Sequence, residues 1–580
     1  MRKYGLILSL ATLLPAASPA AGPREELLRL VPDSVGFCVV IQDLRGHADA
    51  LRDSPFLQQL SQSPVGVKIR AGDDVKKLDR IESKMREKLG FDWKRLREDI
   101  LGDALVLAYR PGPPGKPEQE QGVLLLRARN EKVLVDLIES INKVQRDEGE
   151  LKAVEECRYK DIVYYRRLER VKCAEGGKPS TFYYLHGPIL AVSPQEDMIR
   201  QIIDLDHLRV ADAVPESARR LRELDAERAL LAVWINPRAF DAELDSKIAA
   251  APAERLIAVK QFALYWKALE SVVVSLSPAE REIRMTLGVR ARVETLPPAA
   301  RRLFETATIP SETWRRFPDS ALLAAGGRVD GTALLEAIGG FLTPQQRDRL
   351  HAAMNRQFQT LLGEENFVGE VMPALGPDWG LCVRAPAASD KNWLPRSLFA
   401  LRVDGKRSKR PIEPKLLGLL DFAARLLIFL HNGQKTERPL SLKTGEVDGR
   451  EVRYMTGNLL SGFQPSYGLL DGYLVVSSSL DEIQSFAHPA PPSIAPASNG
   501  SAPLLRVSFK DWRGYVKQRR EPIVQFLAEH CSSSREVVAQ GVNGFLAGLQ
   551  FIDRLELRRH GAPGQMVLTL SLQSAHSLKK

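Results

Sequence analysis

Phe182-Tyr-Tyr-Leu-His-Gly187-Pro-Ile-Leu-Ala-Val-Ser193, followed by the acidic helix start Glu196-Asp197-Met198-Ile199, decides the architecture because the chain repeats it. The second version is Ser466-Tyr-Gly-Leu-Leu-Asp-Gly472-Tyr-Leu-Val-Val-Ser477, leading into Leu480-Asp481-Glu482-Ile483. Two aromatic and β-branched runs meeting at a Gly-containing turn read as a hairpin. Self-similarity over so long a period marks an internal duplication. In this alignment Gly187 answers to Gly472 and His186 to Asp471, and His and Asp both tolerate turn conformations.

The repeat extends in both directions. Pro32-Asp33-Ser34 feeds the apolar run Phe37-Cys-Val-Val40, as Pro318-Asp319-Ser320 feeds Ala321-Leu-Leu-Ala324. Gly102-Asp103 opens one strand-like run and Gly376-Pro-Asp-Trp379 its counterpart. Each copy continues with a second strand, an apolar helix, a hairpin and two closing strands. The helix of the first copy places Val133, Leu134, Leu137, Ile138 and Ile141 on one face. Its counterpart, Leu416 to Leu430, is apolar enough to read as a well-buried helix, yet Asp421 and Arg425 interrupt it and it is too short for a membrane span. Strand groups joined by short turns, with helices between them, predict an α+β fold: two homologous tandem lobes, each mainly antiparallel sheet covered by helices. Lobe 1 is expected over 22–295, with half-units about 30–207 and 225–292; lobe 2 spans 296–580, with half-units about 316–487 and 503–573 and a Pro-rich linker over 489–503.

Composition places the chain among ordinary globular proteins, with 44% hydrophobic and 27% charged residues over 580 positions. A net charge of +10, spread over 82 basic and 72 acidic side chains, is a mild excess that singles out no partner. Residues 1–21 have the parts of a secretory signal: Arg2 and Lys3, a short apolar core from Leu6 to Leu14, then small residues to Ala21. The expectation is therefore an exported, periplasmic or extracellular protein that does not span the membrane once the signal is removed. Export argues against nucleic acid as a partner.

Candidate chemistry is sparse. The nine histidines form no His-Glu-x-x-His pattern and no Cys-x-x-Cys occurs, so no zinc motif is present. Neither a Gly-x-Ser-x-Gly elbow nor a phosphate loop occurs, and no catalytic residue, cofactor or metal is assigned. Of five cysteines, Cys38 and Cys382 sit in apolar runs as small buried hydrophobes. Cys157 and Cys173 flank a hairpin and are the candidate disulfide in an oxidising compartment. Lys406, Arg407, Lys409 and Arg410 form a basic loop, the candidate contact for an anionic surface. Asp43, Asn236, Asp330 and Asp511 each follow a strand and precede a helix, which predicts helix caps, not ligands. Thr343-Pro344-Gln345-Gln346 is a capping box with proline at the first helical position.

The signal-like N-terminus, Pro-Asp-Ser before a strand, Gly-Asp before the next, and Gly–hydrophobic–Val-Ser before an acidic helix resemble a family of large exported bacterial proteins. These are abundant in planctomycete-like genomes and carry a duplicated domain of no assigned function. The resemblance spans most of the chain and implies no catalytic residues. The expected function is a non-enzymatic binding, scaffold or envelope-associated module, whose ligand is apolar, a glycan or an envelope component. The alternatives are an extracytoplasmic hydrolase with a site between the lobes and an anionic-polymer or surface binder.

Overall fold

The computed structural model describes residues 22–52, 54–170, 180–207, 214–362, 366–387, 393–407, 411–433, 439–457, 463–489, 501–531 and 533–575. The expected secretory signal (1–21), Cys173, Lys409, Arg410 and most of the expected Pro-rich linker lie outside them.

The N-terminal half supplies β1 (Phe37–Gln42), β2 (Ala104–Arg110), β3 (Gln121–Arg127), β4 (Leu151–Tyr159), β5 (Ile162–Glu169), β6 (Ser180–His186), β7 (Ile189–Ser193), β8 (Leu231–Ile235), β9 (Leu269–Pro278) and β10 (Glu282–Ala291). The C-terminal half supplies β11 (Leu323–Arg328), β12 (Leu375–Arg384), β13 (Arg396–Val403), β14 (Ser441–Val447), β15 (Arg450–Thr456), β16 (Ser466–Leu470), β17 (Tyr473–Ser477), β18 (Ala502–Ser508), β19 (Ile552–His560) and β20 (Gln565–Ser574). From one edge the order is β4-β5-β6-β7-β3-β2-β1-β8-β9-β10, then β20-β19-β18-β11-β12-β13-β17-β16-β15-β14. Every pairing is antiparallel, so the fold is α+β on one large antiparallel sheet. The sheet does not stop at the end of each half as expected: β10 pairs with β20 from Glu282↔Gln573 to Arg290↔Gln565. Each of these strands would otherwise be an unpaired edge, and pairing satisfies both rows of backbone groups.

Strand alternation sends one set of side chains into a helix-covered core. Val40, Val106, Leu125, Ala191 and Trp234 on this face are buried against Leu27, Leu28, Met198, Ile199, Ile202 and Leu221. The Trp234 indole N–H donates to Ser271 Oγ at 2.8 Å, which satisfies its polar edge. In the C-terminal half, Ala324, Cys382, Ala400, Val475, Ile483 and Phe486 form the matching core.

Most predicted caps are present. Asp330 accepts from the Ala333 N–H, Asn236 from Arg238 and Asp43 from Gly46. Thr343 and Gln346 exchange reciprocal side-chain-to-backbone bonds. Asp511 is the exception: Ser508 caps the helix Phe509–Gln518, accepting from the Asp511 N–H. The register explains the shift. The Ser508 N–H bonds Leu322 O as the Asn236 N–H bonds Gly36 O, so Ser508 holds the Asn236 position.

The hairpin alignment also moves by one residue. Phe182 pairs with Ser193 and Ser466 with Ser477, so His186 matches Leu470 and the two-residue loops are Gly187-Pro188 and Asp471-Gly472. Asp471 and Gly472 both have positive φ, 50° and 77°, as a twist-matched hairpin turn requires.

The apolar helix of the C-terminal half, Glu413–Asn432, is not buried all round. Leu416 and Ala424 are buried, whereas Phe422, Leu426, Phe429 and Leu430 are exposed, Phe429 by 74%. The exposed residues share a second face at helical spacing, so apolarity on two faces produced an apparently continuous run. Among the described residues no helix is long and apolar enough to cross a membrane.

Candidate functional site

The second face of the sheet carries an uninterrupted apolar row. Val192, Leu124, Leu107, Val39, Val233, Val274 and Leu287 stand directly opposite one another from β7 to β10. Two residues along β10, Met285 continues the row through Leu570, Leu557, Leu505, Ala325, Leu381, Phe399 and Val476 on β17. Leu107, Leu124, Val274, Met285, Leu287 and Phe399 remain exposed by 37–48%. Scattered apolar side chains on a surface need no explanation, but a contiguous band does.

The band is deepest beside β1 and β8, in a groove of about 550 Å³ roofed by the helices Asp241–Ala249 and Ala253–Ala268. Phe37, Val39, Val233 and Ile235 form its floor; Phe240, Leu244, Phe262 and Trp266 form its walls. Ring contacts hold the walls: Phe262 stacks on Trp266 at 5.9 Å and Phe240 meets Trp266 edge-on at 6.5 Å. The Trp266 N–H donates to Pro237 O at 3.1 Å. Gly36 makes the arrangement possible, because a Cβ there would lie 2.6 Å from the Phe240 ring. The charged lining residues, Glu243 and Lys247, pair with each other at 2.7 Å.

A second cavity, of about 620 Å³, lies in the C-terminal half and is polar. Its walls include Glu312, Arg328, Asp378, Arg402, Lys406 and Tyr473. Asp378 is 2% exposed. Its Oδ2 accepts from the Tyr473 hydroxyl at 2.5 Å and from the Glu312 N–H at 3.1 Å. Its Oδ1 is buried without a hydrogen-bond partner. Burial, with the Asp378 bond adding to it, pushes the Tyr473 phenol well above its ordinary range. The Arg402 guanidinium lies over the Tyr473 ring at 5.0 Å and donates to Asp471 O at 3.1 Å.

Of the sequence-nominated residues, Lys406 reaches this cavity, and its backbone N–H bonds Asp404 Oδ1 at 3.3 Å. Arg407 ends the same short turn, Gly405–Arg407. Cys157 is half-buried on β4 opposite Tyr164, and burial raises its thiol pKa; its candidate partner falls outside the described residues. Cys38 and Cys382 are buried, as their apolar runs implied. His186, read as a turn residue, ends β6 and bonds Asp206 Oδ2 at 2.6 Å, while its ring stacks on His207 at 5.7 Å. Tyr165 and Tyr183 stack at 4.9 Å across paired strands.

No family model and no curated protein matches the chain. Among solved structures, crystal form IV of TP0453 is similar at 14% identity and a TM-score of 0.23, covering 48% of this chain and 83% of its own. Crystal form I of TP0453 gives 12% identity and 0.22, covering 47% and 80%. Scores this low carry no argument about fold or function.

Proposed function

We propose that the chain is a non-enzymatic, exported binding module of two homologous tandem lobes that holds an extended apolar ligand against its sheet. One observation carries the reading: an apolar row without a charged residue runs from β7 to β17 and deepens into a groove of about 550 Å³. That volume falls within the roughly 300–1,000 Å³ of small-molecule pockets. The two-lobe reading rests on strands that recur in the same order in each half. Membership in the exported bacterial family resembled by the sequence belongs to the same proposal.

The test is binding of N-phenyl-1-naphthylamine, read by its fluorescence, together with mass spectrometry of organic extracts from natively purified protein. Val233→Glu places a carboxylate on the groove floor beside Phe37, Val39 and Ile235 and is expected to weaken probe binding at least tenfold with the circular dichroism unchanged. A protein that purifies without an apolar passenger and leaves the probe dark would sink the proposal.

A further inference from the structure

Arg328, Asp378, Arg402 and Tyr473 stand in one row across β11, β12, β13 and β17, on the core-facing side of the sheet. The register-matched row in the N-terminal half is Gln42, Ala104, Arg127 and Ile189. There the charges neutralise one another. Arg127 pairs with Glu26 at 2.5 Å and with Asp103 at 2.6 Å, and Arg45 closes on Asp103 at 3.0 Å. In the C-terminal half the corresponding arginine, Arg402, is turned to Asp471 O and the Tyr473 ring. Asp378 and Arg328 are direct neighbours on paired strands, yet they form no ion pair among the described residues.

A bulge creates this difference. The register of β12 against β13 slips between Leu375 and Trp379, setting Gly376, Pro377 and Asp378 opposite Arg402. A bulge re-aims side chains and bends the strand. A Cβ at Gly376 would come within 2.7 Å of the Arg402 side chain, so glycine allows the close approach. The result is a cavity lined by both signs of charge: the carboxylates Glu312, Asp378, Asp404 and Glu413, and the cations Arg328, Arg402 and Lys406. Asp378 Oδ1 and Arg328 Nε are each buried without a partner.

Burying charge without compensation is unfavourable, and a cavity lined by both signs has room for something that carries both. A purely anionic ligand would leave Asp378 unsatisfied, and a purely cationic one would leave Arg328 so. Among the described residues no group of three or more His, Cys, Asp or Glu could hold a metal ion. We propose that this cavity is a second binding site, which takes a small zwitterion of the amino-acid or short-peptide class. The ammonium group sits at Asp378 Oδ1 and Glu312, and the carboxylate at Arg328 and Lys406. Ammonium supplies the donors that Asp378 Oδ1 lacks, and a carboxylate matches the guanidinium fork.

The experiment is isothermal titration of the full chain with each of the twenty free amino acids and with dialanine. At least one is expected to bind, and its N-acetyl and its amide analogues are each expected to bind at least tenfold more weakly. Asp378→Asn and Arg328→Gln should each lower affinity at least tenfold, and Asp378→Asn should raise the melting temperature of the unliganded protein. Val233→Glu should leave zwitterion binding unchanged, which separates this site from the apolar groove. Absence of binding across the panel, equal binding of the acetylated analogue, or binding that survives Asp378→Asn would each overturn the assignment.

Discussion

The two halves share a strand order and open opposite sites. In the N-terminal half the apolar side is hollow and the polar end is closed by Arg127, Glu26 and Asp103. In the C-terminal half the polar end is hollow, and the place of Gly36 is taken by Leu322, which is fully buried with Tyr515, Val516 and Val524. The match of Gly36 to Leu322 rests on hydrogen bonds: the Gly36 N–H bonds Tyr109 O as the Leu322 N–H bonds Val383 O. One residue beside a strand thus decides whether a helix packs down with a ring against backbone or stands off on a side chain. A common scaffold can diverge in its contents by such single changes while its register holds.

Exchanging the paired residues tests the comparison most severely. Leu322→Gly removes a fully buried side chain and should cost about 4 kcal/mol in chemical denaturation, since large-to-small core changes leave cavities. It should also create a second N-phenyl-1-naphthylamine site. The reverse change, Gly36→Leu, drives a side chain into the Phe240 ring and should cost roughly 1–3 kcal/mol by overpacking, while lowering probe binding in the native groove. If neither variant alters probe stoichiometry, the Gly36–Leu322 contrast does not control the groove.

A smaller effect separates the polar ends. Arg127→Met strips Glu26 and Asp103 of their shared partner and should cost about 1–2 kcal/mol, a figure held down by partial exposure and by Arg45. Arg402→Met, at the matched position, should stay within about 0.5 kcal/mol. Equal costs would erase the distinction between a closed and an open end.

Cysteine protection gauges whether the halves are energetically one body. Burial pushes the thiols of Cys38 on β1 and Cys382 on β12 up to about 12, so at pH 8 neither is a nucleophile in the folded protein. The two should become alkylated at the same urea concentration, because β10 and β20 join the halves in one sheet. Cys531 is exposed and should react throughout. Separate transitions for Cys38 and Cys382 would mean that the halves unfold independently.

Local chemistry was the legible part of the sequence. Asp330, Asn236 and the Thr343–Gln346 box reveal themselves because a cap depends only on residues within one turn. The antiparallel α+β class followed from strand groups joined by short turns, whereas the order of the strands in the sheet did not. Nor did the hairpin register, since Gly187 and Gly472 align by identity yet occupy different loop positions, and only cross-strand pairing fixes which residue faces which. The groove was invisible because Gly36, Val233 and Trp266 meet only after folding. Asp378 left a faint signal: an acid just inside the apolar run of β12, while β11 ends in arginine. Its weight depends on the bulge, which no local pattern announces.

Joining the halves along β10 and β20 leaves, among the described residues, β4 and β14 at the rims of the sheet. An open rim is a template on which another chain can add a strand and begin to aggregate. Both rims are guarded by charge: β4 carries Lys152, Glu155, Glu156 and Arg158, and β14 carries Lys443 and Glu446. The apolar, β-branched strands are thereby confined to the interior of the array, where every neighbour is already chosen. By joining its halves, the chain gains protection from its own copies at high concentration as well as a continuous surface for a ligand.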